Sequence, residues 1–199
     1  MSTTSPAAVD PLALFAAWYD EAQSHNLPQP NAMVLSTVSA DGEASSRLML
    51  LRSFDATGFV FYTGLETQKA QDLAAHPQAA LLFPWLALRR QVRIQGTAVP
   101  LPSGDVWRYF ATRPRSSQLG AWLTQSGGAV SSRAALQDML AQLKQRFQAG
   151  QIPLPGAWGG YRLEPYRYEF WQEQPDHIPD RMAFTWQADG HWQRQQLIP

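Results

Sequence analysis

The chain has 199 residues, 16 Lys or Arg against 16 Asp or Glu, a formal charge of zero and no cysteine. That balance argues against a chain-wide electrostatic design for nucleic acid or a membrane surface. The missing thiols exclude disulfides and thiolate metal sites, and fit a reducing, cytoplasmic compartment. No apolar run reaches the length of a membrane span, and the first ten residues lack a basic-then-apolar leader pattern.

Residues 1–9 are Ser, Thr, Ala, Pro and Met with one Val, the composition of a disordered arm. Residues 10–199 then form one domain, long enough to bury a core without staples. Asp10-Pro11 reads as an N-cap followed by Pro at the first helical position. Leu12, Phe15, Trp18 and Tyr19 recur at helical spacing to about Ser24. Strands are expected at Ala32–Val38 and Glu43–Leu51, joined by the Asp41-Gly42 turn. Further strands are expected at Phe59–Thr63, Ala79–Phe83 and Arg89–Val99. The last alternates cleanly, with Val92, Ile94, Gly96 and Ala98 on one face.

Helices follow at Ser103–Thr112, Gln118–Gln125 and Ser131–Gln148. Leu136, Met139, Leu140, Leu143 and Phe147 give the third an apolar stripe. The chain then returns to strands at Trp158–Leu163, Tyr168–Gln172, Arg181–Trp186 and His191–Leu197. Short strands with tight turns make this an α+β domain, mainly antiparallel, with a barrel-like sheet and flanking helices.

One stretch organises the rest, RLMLLRSFDATGFVFYTGLETQK, residues 47–69. It reads as a strand, a turn at Asp55–Gly58, a second strand, and a helix opened by Glu66 or Thr67 that runs to about His76. Arg47, Arg52, Thr63 and Lys69 gather near that helix start, where backbone N–H groups favour an anion. Strand alternation sets Arg47 and Arg52 on opposite faces unless the strand ends or bulges near Leu51. Tyr109, Arg113 and Ser117 recur every four residues, with Pro114 ending the helix between them. Eight tryptophans suit a dense core, an interface or a planar ligand. The four histidines do not cluster at metal-ligand spacing. No nucleophile elbow, phosphate-binding glycine loop or carboxylate pair is visible.

The blocks AMVLSTV (32–38), RLMLLRSFDATGFVFYT (47–63), LLFPW (81–85), RQVRIQG (90–96), YFATRPRSSQLGAW (109–122), PLPGAWGGYRL (153–163) and EFWQ (169–172), with Lys69, resemble the pyridoxine/pyridoxamine 5'-phosphate oxidase family, from about Asp10 to Pro199. The resemblance implies an antiparallel split barrel that works as a homodimer with FMN at the subunit interface. It implies that Arg47 and Lys69 hold the flavin phosphate, with Thr63, Tyr62 and the Gln68 position beside them. The main chain of Arg47, Leu48, Met49, Leu50, Leu51 and Arg52 would run along the flavin ring. Gln91 would hydrogen-bond the flavin, as would Gln125 and Ser126 from the partner subunit, and Trp171 and Arg181 would complete the pocket. Arg52, Tyr109, Arg113 and Ser117 would bind a small phosphorylated substrate. The implied reaction is hydride transfer from C4' of pyridoxine or pyridoxamine 5'-phosphate to flavin N5, with O2 reduced to H2O2.

Four departures from the family pattern stand out. Arg52 replaces a lysine, and Gln68 replaces an arginine, which removes a cation from the phosphate site. His177-Ile178-Pro179 replaces the Arg-x-His element that covers the substrate ring. An Arg-x-x-Tyr in the N-terminal arm is missing. His177 and Arg52 remain as candidate substrate orienters, and Pro179 offers no side-chain hydrogen bond. An oxidase of another reduced ring, of the phenazine-biosynthesis type, and a non-catalytic FMN or pyridoxal-phosphate binder are the alternatives this leaves.

Overall fold

The computed structural model describes residues 10–125 and 130–199. The expected arm at 1–9 and Ser126 lie outside the described residues.

Helix α1 (Pro11–Ser24) starts as its sequence dictates, with Asp10 accepting a hydrogen bond from the Leu12 N–H at 3.0 Å. Its buried face is Phe15, Trp18 and Ala22. The Phe15 ring meets Phe54, Phe59 and Phe83 edge-on, at centroid distances of 5.0, 4.9 and 5.0 Å. Such contacts contribute about 0.5–1.5 kcal/mol each beyond the area they bury, so α1 closes one side of the sheet's core.

Strands β1 (Ala32–Val38) and β2 (Ala44–Leu50) form the first hairpin, and Gly42 supplies its left-handed residue at φ +85°. A short β3 (Ser53–Asp55) pairs with β4 (Gly58–Gly64) across the Asp55 turn. The organising stretch is therefore not one hairpin. Its first strand pairs backwards with β1, setting Arg47 opposite Leu35, and only β3 pairs across the turn. The chain changes ladders at Leu51 and Arg52. Leu51 N–H donates to Asn31 C=O at 2.9 Å, and Arg52 N–H donates to Val60 C=O at 2.8 Å.

Helix α2 (Gln68–Ala75) follows N-cap Thr67. Then come β5 (Gln78–Trp85), longer than its apolar centre suggests, and β6 (Arg90–Pro100). Helices α3 (Ser103–Thr112) and α4 (Arg115–Thr124) are separated only by Arg113 and Pro114. Pro114 ends α3's run and caps α4, so Ser117 sits on the first turn of a new helix. Helix α5 (Arg133–Arg146) forms, but none of its residues is fully buried. Leu140 and Leu143 pack on a second core built on Phe110, Leu119, Phe147 and Trp158, while Leu136 stays exposed.

The two strands expected at 158–163 and 168–172 are one, β7 (Trp158–Gln172). With β8 (Asp180–Trp186) and β9 (Trp192–Gln196), the antiparallel sheet runs β2-β1-β5-β6-β7-β4-β3, and β8 and β9 extend from β7. β7 pairs with β6 on one edge. On its other edge it pairs with β4 over Trp158–Leu163 and with β8 over Arg167–Gln172. The sheet thereby curls and splits. A register shift between Gln95 and Gly96, facing Pro165 and Arg167, lets a proline sit inside β7. Among the described residues no helix is long and apolar enough to cross a membrane.

Gly96 is the tightest point of this bulge. A Cβ there would run into the Glu164 carbonyl and lie 2.8 Å from Leu163 Cγ. Gly96→Ala is expected to destabilise the fold by about 1–3 kcal/mol, read as a lower urea midpoint with an unchanged m-value.

Candidate functional site

The residues singled out in the sequence fall into three groups. The first is an anion-binding corner between β1, β2 and the start of α2. Arg47 donates to Thr37 Oγ1 at 2.6 Å and to Ser45 Oγ at 2.7 Å, and lies 3.7 Å from Asp72 Oδ2. Asp72, on α2, is almost fully buried and accepts from Thr37 at 2.6 Å and from Gln68 Nε2 at 2.8 Å. Gln68 thus holds the carboxylate. Thr63 is buried, with its hydroxyl 3.4 Å from that of Thr67.

Two cations and one carboxylate meet here. Burial, then the nearby Arg47 charge, lowers the pKa of Lys69, with Asp72 partly opposing. Burial pushes the Asp72 carboxyl up, but hydrogen bonds from Thr37 and Gln68 and the charges of Arg47 and Lys69 outweigh it and hold it low. The corner keeps a surplus of positive charge, and the N-terminus of α2 adds its dipole.

The second group is a cleft of about 390 Å³. Its floor is the run Leu48, Met49, Leu50, Leu51 and Arg52, and its far wall is Tyr62, Tyr109, Arg113 and Trp158. The Tyr62 ring stacks on Tyr109 at 4.1 Å and on Trp158 at 5.2 Å. Arg52 lies over the Tyr109 ring and Arg113 over the Trp158 ring, each at 4.7 Å. Burial lowers the Arg113 pKa, with Tyr109 pulling the other way. Its Nη1 is buried and has no hydrogen-bond partner among the described residues. A buried donor left unpaired is costly, and Arg113 also borders a second cavity, with Phe110, Gln118 and Ile152. Alternation along β2 holds, and the strand ends at Leu50. Arg47 and Arg52 accordingly serve different neighbours.

The third group is a row across the sheet's outer face. Gln91 pairs with Trp171, and Trp171 with Arg181. It lies apart from the cleft: none of the three is among the residues that line it.

Other expected residues stand elsewhere. Ser117 is half-buried on α4. Gln125 lines a separate cavity between α4 and α5 with Trp122 and Met139, and its Oε1 is also buried and unpaired among the described residues. His177 and Pro179 belong to the loop between β7 and β8. His177 is exposed there, in the left-handed region at φ +62°, and neither residue lines the cleft. Asp72, Trp158 and Glu169 were assigned no role from sequence. Asp72 had a signal, since it follows Gln68 by four residues on one helix face.

The pattern of the family described as pyridoxamine 5'-phosphate oxidase matches residues 19–147. The family's C-terminal dimerisation region matches residues 158–199. The chain belongs to the pyridoxine/pyridoxamine 5'-phosphate oxidase family. It is 45% identical over 191 residues to the pyridoxine/pyridoxamine 5'-phosphate oxidase of Rippkaea orientalis, covering 96% of this chain and 90% of that one. It is 47% identical over 190 residues to the Caulobacter vibrioides protein of the same name, covering 96% and 85%. Among solved structures, PhzG from Burkholderia lata, in complex with tetrahydrophenazine-1-carboxylic acid, superposes with a TM-score of 0.89 at 28% identity over 98% of this chain and 95% of its own. An FMN-binding protein of Nostoc punctiforme shares the fold at a TM-score of 0.77 and 14% identity, over 96% and 100% of the two chains. The chain is thus a split-barrel oxidoreductase of this family, and its β7, β8 and β9 lie in the dimerisation region.

The anion corner has a pH signature. Asp72's carboxyl pKa in the fold is below its ordinary 3.8. Its stabilising contribution is complete above that ordinary value and is lost as pH falls through the lower, folded one. Asp72→Asn is therefore expected to be less stable than the parent at about pH 7, and the gap to be narrower at about pH 3. Urea unfolding at both values checks this.

Proposed function

We propose that this chain is an FMN-dependent oxidase of pyridoxine 5'-phosphate or pyridoxamine 5'-phosphate and works as a homodimer. The observation that carries the reading is the gathering of two guanidinium groups, Arg52 and Arg113, with Tyr109 at one aromatic cleft. A phosphorylated ring compound supplies both an acceptor for the guanidinium groups and a plane for the aromatic wall.

The residues fit FMN. Arg47 and Lys69, with the Thr63 hydroxyl, would hold its phosphate by charge-assisted hydrogen bonds. Asp72 cancels one of the two charges, and Gln68 contributes through Asp72, so phosphate binding is weaker than three free cations would make it. The main chain of residues 48–52 would lie along the ring. Gln91, Trp171 and Arg181 sit on another face of the protomer, so in the homodimer they would close the pocket of the opposite subunit, together with Gln125 and Ser126. FMN, when bound, supplies the acceptor for the hydride leaving C4' and the route of the electrons to O2, which leaves as H2O2. The chain's own part is to bind and orient. Arg52, Tyr109, Arg113 and Ser117 would fix the substrate phosphate, and the stacked rings exclude water from the reacting carbon.

A second reading is an oxidase of a larger reduced ring. His177 and Pro179 in place of the ring-covering Arg-x-His favour it, and so does the similarity to the phenazine-bound PhzG.

Anaerobic mixing with either B6 phosphate, followed at the flavin band, separates the two. Bleaching that recovers in air is expected. A band that persists with both, but bleaches with a reduced phenazine carboxylate, would replace the first reading with the second. Arg113→Ala is expected to raise KM for the B6 phosphate about 10–100-fold, the loss of one charged hydrogen bond, and to leave the FMN Kd unchanged in a fluorescence titration. His177→Arg with Pro179→His is expected to raise kcat/KM for the B6 phosphates.

A further inference from the structure

Glu169, 5% exposed, is with Asp72 one of two buried carboxylates among the described residues. It sits on β7 in the row next to the Gln91–Trp171–Arg181 row, two residues before Trp171 and diagonal to Arg181. Three arginines converge on it. Arg93, directly opposite on β6, donates to Oε2. Arg167 lies 4.0 Å from the same oxygen. Arg181 donates through Nε to Oε1 at 2.9 Å. A single carboxylate leaves this patch with excess positive charge, as a face that meets an anion requires.

Arg181 is also gripped from its other side. Its Nη1 donates to the carbonyl of Ile198 at 3.2 Å, and its own carbonyl accepts from the Leu197 N–H at 2.7 Å. Nε and Nη1 are thus both engaged, and Nη2 makes no hydrogen bond among the described residues. A free arginine side chain must lose much rotamer entropy to hold one geometry. Here that ordering is done before any ligand arrives.

We infer that Glu169 is a positioning residue: with the Leu197–Ile198 segment it clamps Arg181 so that the guanidinium presents its remaining nitrogen, beside Trp171, to the cofactor. The inference rests on the FMN reading of the row. Glu169 does not touch the cofactor and acts only through Arg181. Supporting groups of this kind typically change affinity by about 10–100-fold when removed.

The test is a double-mutant cycle on FMN affinity, read by quenching of flavin fluorescence as the apo-protein is titrated. Glu169→Gln removes the charge. Glu169→Asp keeps the charge that Arg93 and Arg167 need but draws the carboxylate back from Arg181 Nε, so it carries the test if the Gln variant does not fold. Each is expected to raise the FMN Kd about tenfold in the parent and to leave it unchanged in an Arg181→Ala background. The absorption band of bound flavin, at saturation, should shift in the same variants. Arg93→Gln, which loses a partner of Glu169 but not the clamp, should bind FMN like the parent. An equal loss in both backgrounds would make Glu169 a structural residue and overturn the inference. Unchanged affinity in both Glu169 variants, with Arg181→Ala impaired, would overturn it while leaving the FMN reading standing. Unchanged affinity in Arg181→Ala would remove Arg181 from the cofactor site, and the clamp with it.

Discussion

Strand β7 must serve two different neighbours along one edge, β4 in its first half and β8 in its second. Along a straight edge two such partners would continue one another end to end in a single twisted layer, and the sheet would not split. The bulge at Gly96 and Pro165 bends β7 where its partner changes. Much of the candidate site depends on this bend. Trp158, at the strand's start, becomes the far wall of the cleft. Glu169 and Trp171, near its end, face outward on the opposite side of the sheet from Tyr168 and Phe170, which are buried in the core. One strand therefore supplies both a cleft and an outer face to a molecule whose two copies would each need both.

The electrostatics repeat one device at two places. Asp72 is buried among Arg47, Lys69, Thr37 and Gln68; Glu169 is buried among Arg93, Arg167 and Arg181. Burying a charge without partners is prohibitive, and a lone pair of charges roughly breaks even. A carboxylate shared by several cations differs from both. It holds the cations close together against their repulsion and leaves the group net positive. The result is a pair of ordered cationic sites that cost the fold little until an anion arrives. Gln68 belongs to this scheme: it satisfies the second oxygen of Asp72 where a third cation would have competed for it.

Local chemistry in the sequence carried most elements. Asp10-Pro11, the Asp41-Gly42 turn and the alternation of Val92, Ile94 and Ala98 are short-range signals, and each element they mark is present. Long-range pairing was not legible. The stretch 47–63 looks like a hairpin because its turn is strong, yet nothing local says that Arg47 pairs with Leu35 while only three residues pair across Asp55. Likewise Pro165 reads as a break between strands, and only the opposing Gly96, about seventy positions away in the chain, turns it into a bulge. The apolar stripe of α5 misled for a related reason. Periodicity shows that a face is apolar, not how much of the same protomer covers it, and Leu136 remains exposed.

The site was legible as residues and not as an arrangement. Arg47 and Lys69, and Arg52 with Tyr109 and Arg113, do come together, but in two places with separate partners. Gln91, Trp171 and Arg181 form a third group whose alignment appears only once the registers of β6, β7 and β8 are known. This separation bears on how such a protein changes substrate. The anion corner hangs on β1, β2 and α2, and the cleft's Tyr109, Arg113 and Arg52 on the end of α3 and the link that follows β2. The altered His177-Ile178-Pro179 segment lies in a surface loop that lines neither. Substitution there leaves the buried carboxylates, the stacked aromatic wall and the bulge untouched, so it costs the fold almost nothing. In a scaffold organised this way the cationic corner and the aromatic cleft stand under strong physical constraint, while this surface loop can change without disturbing either.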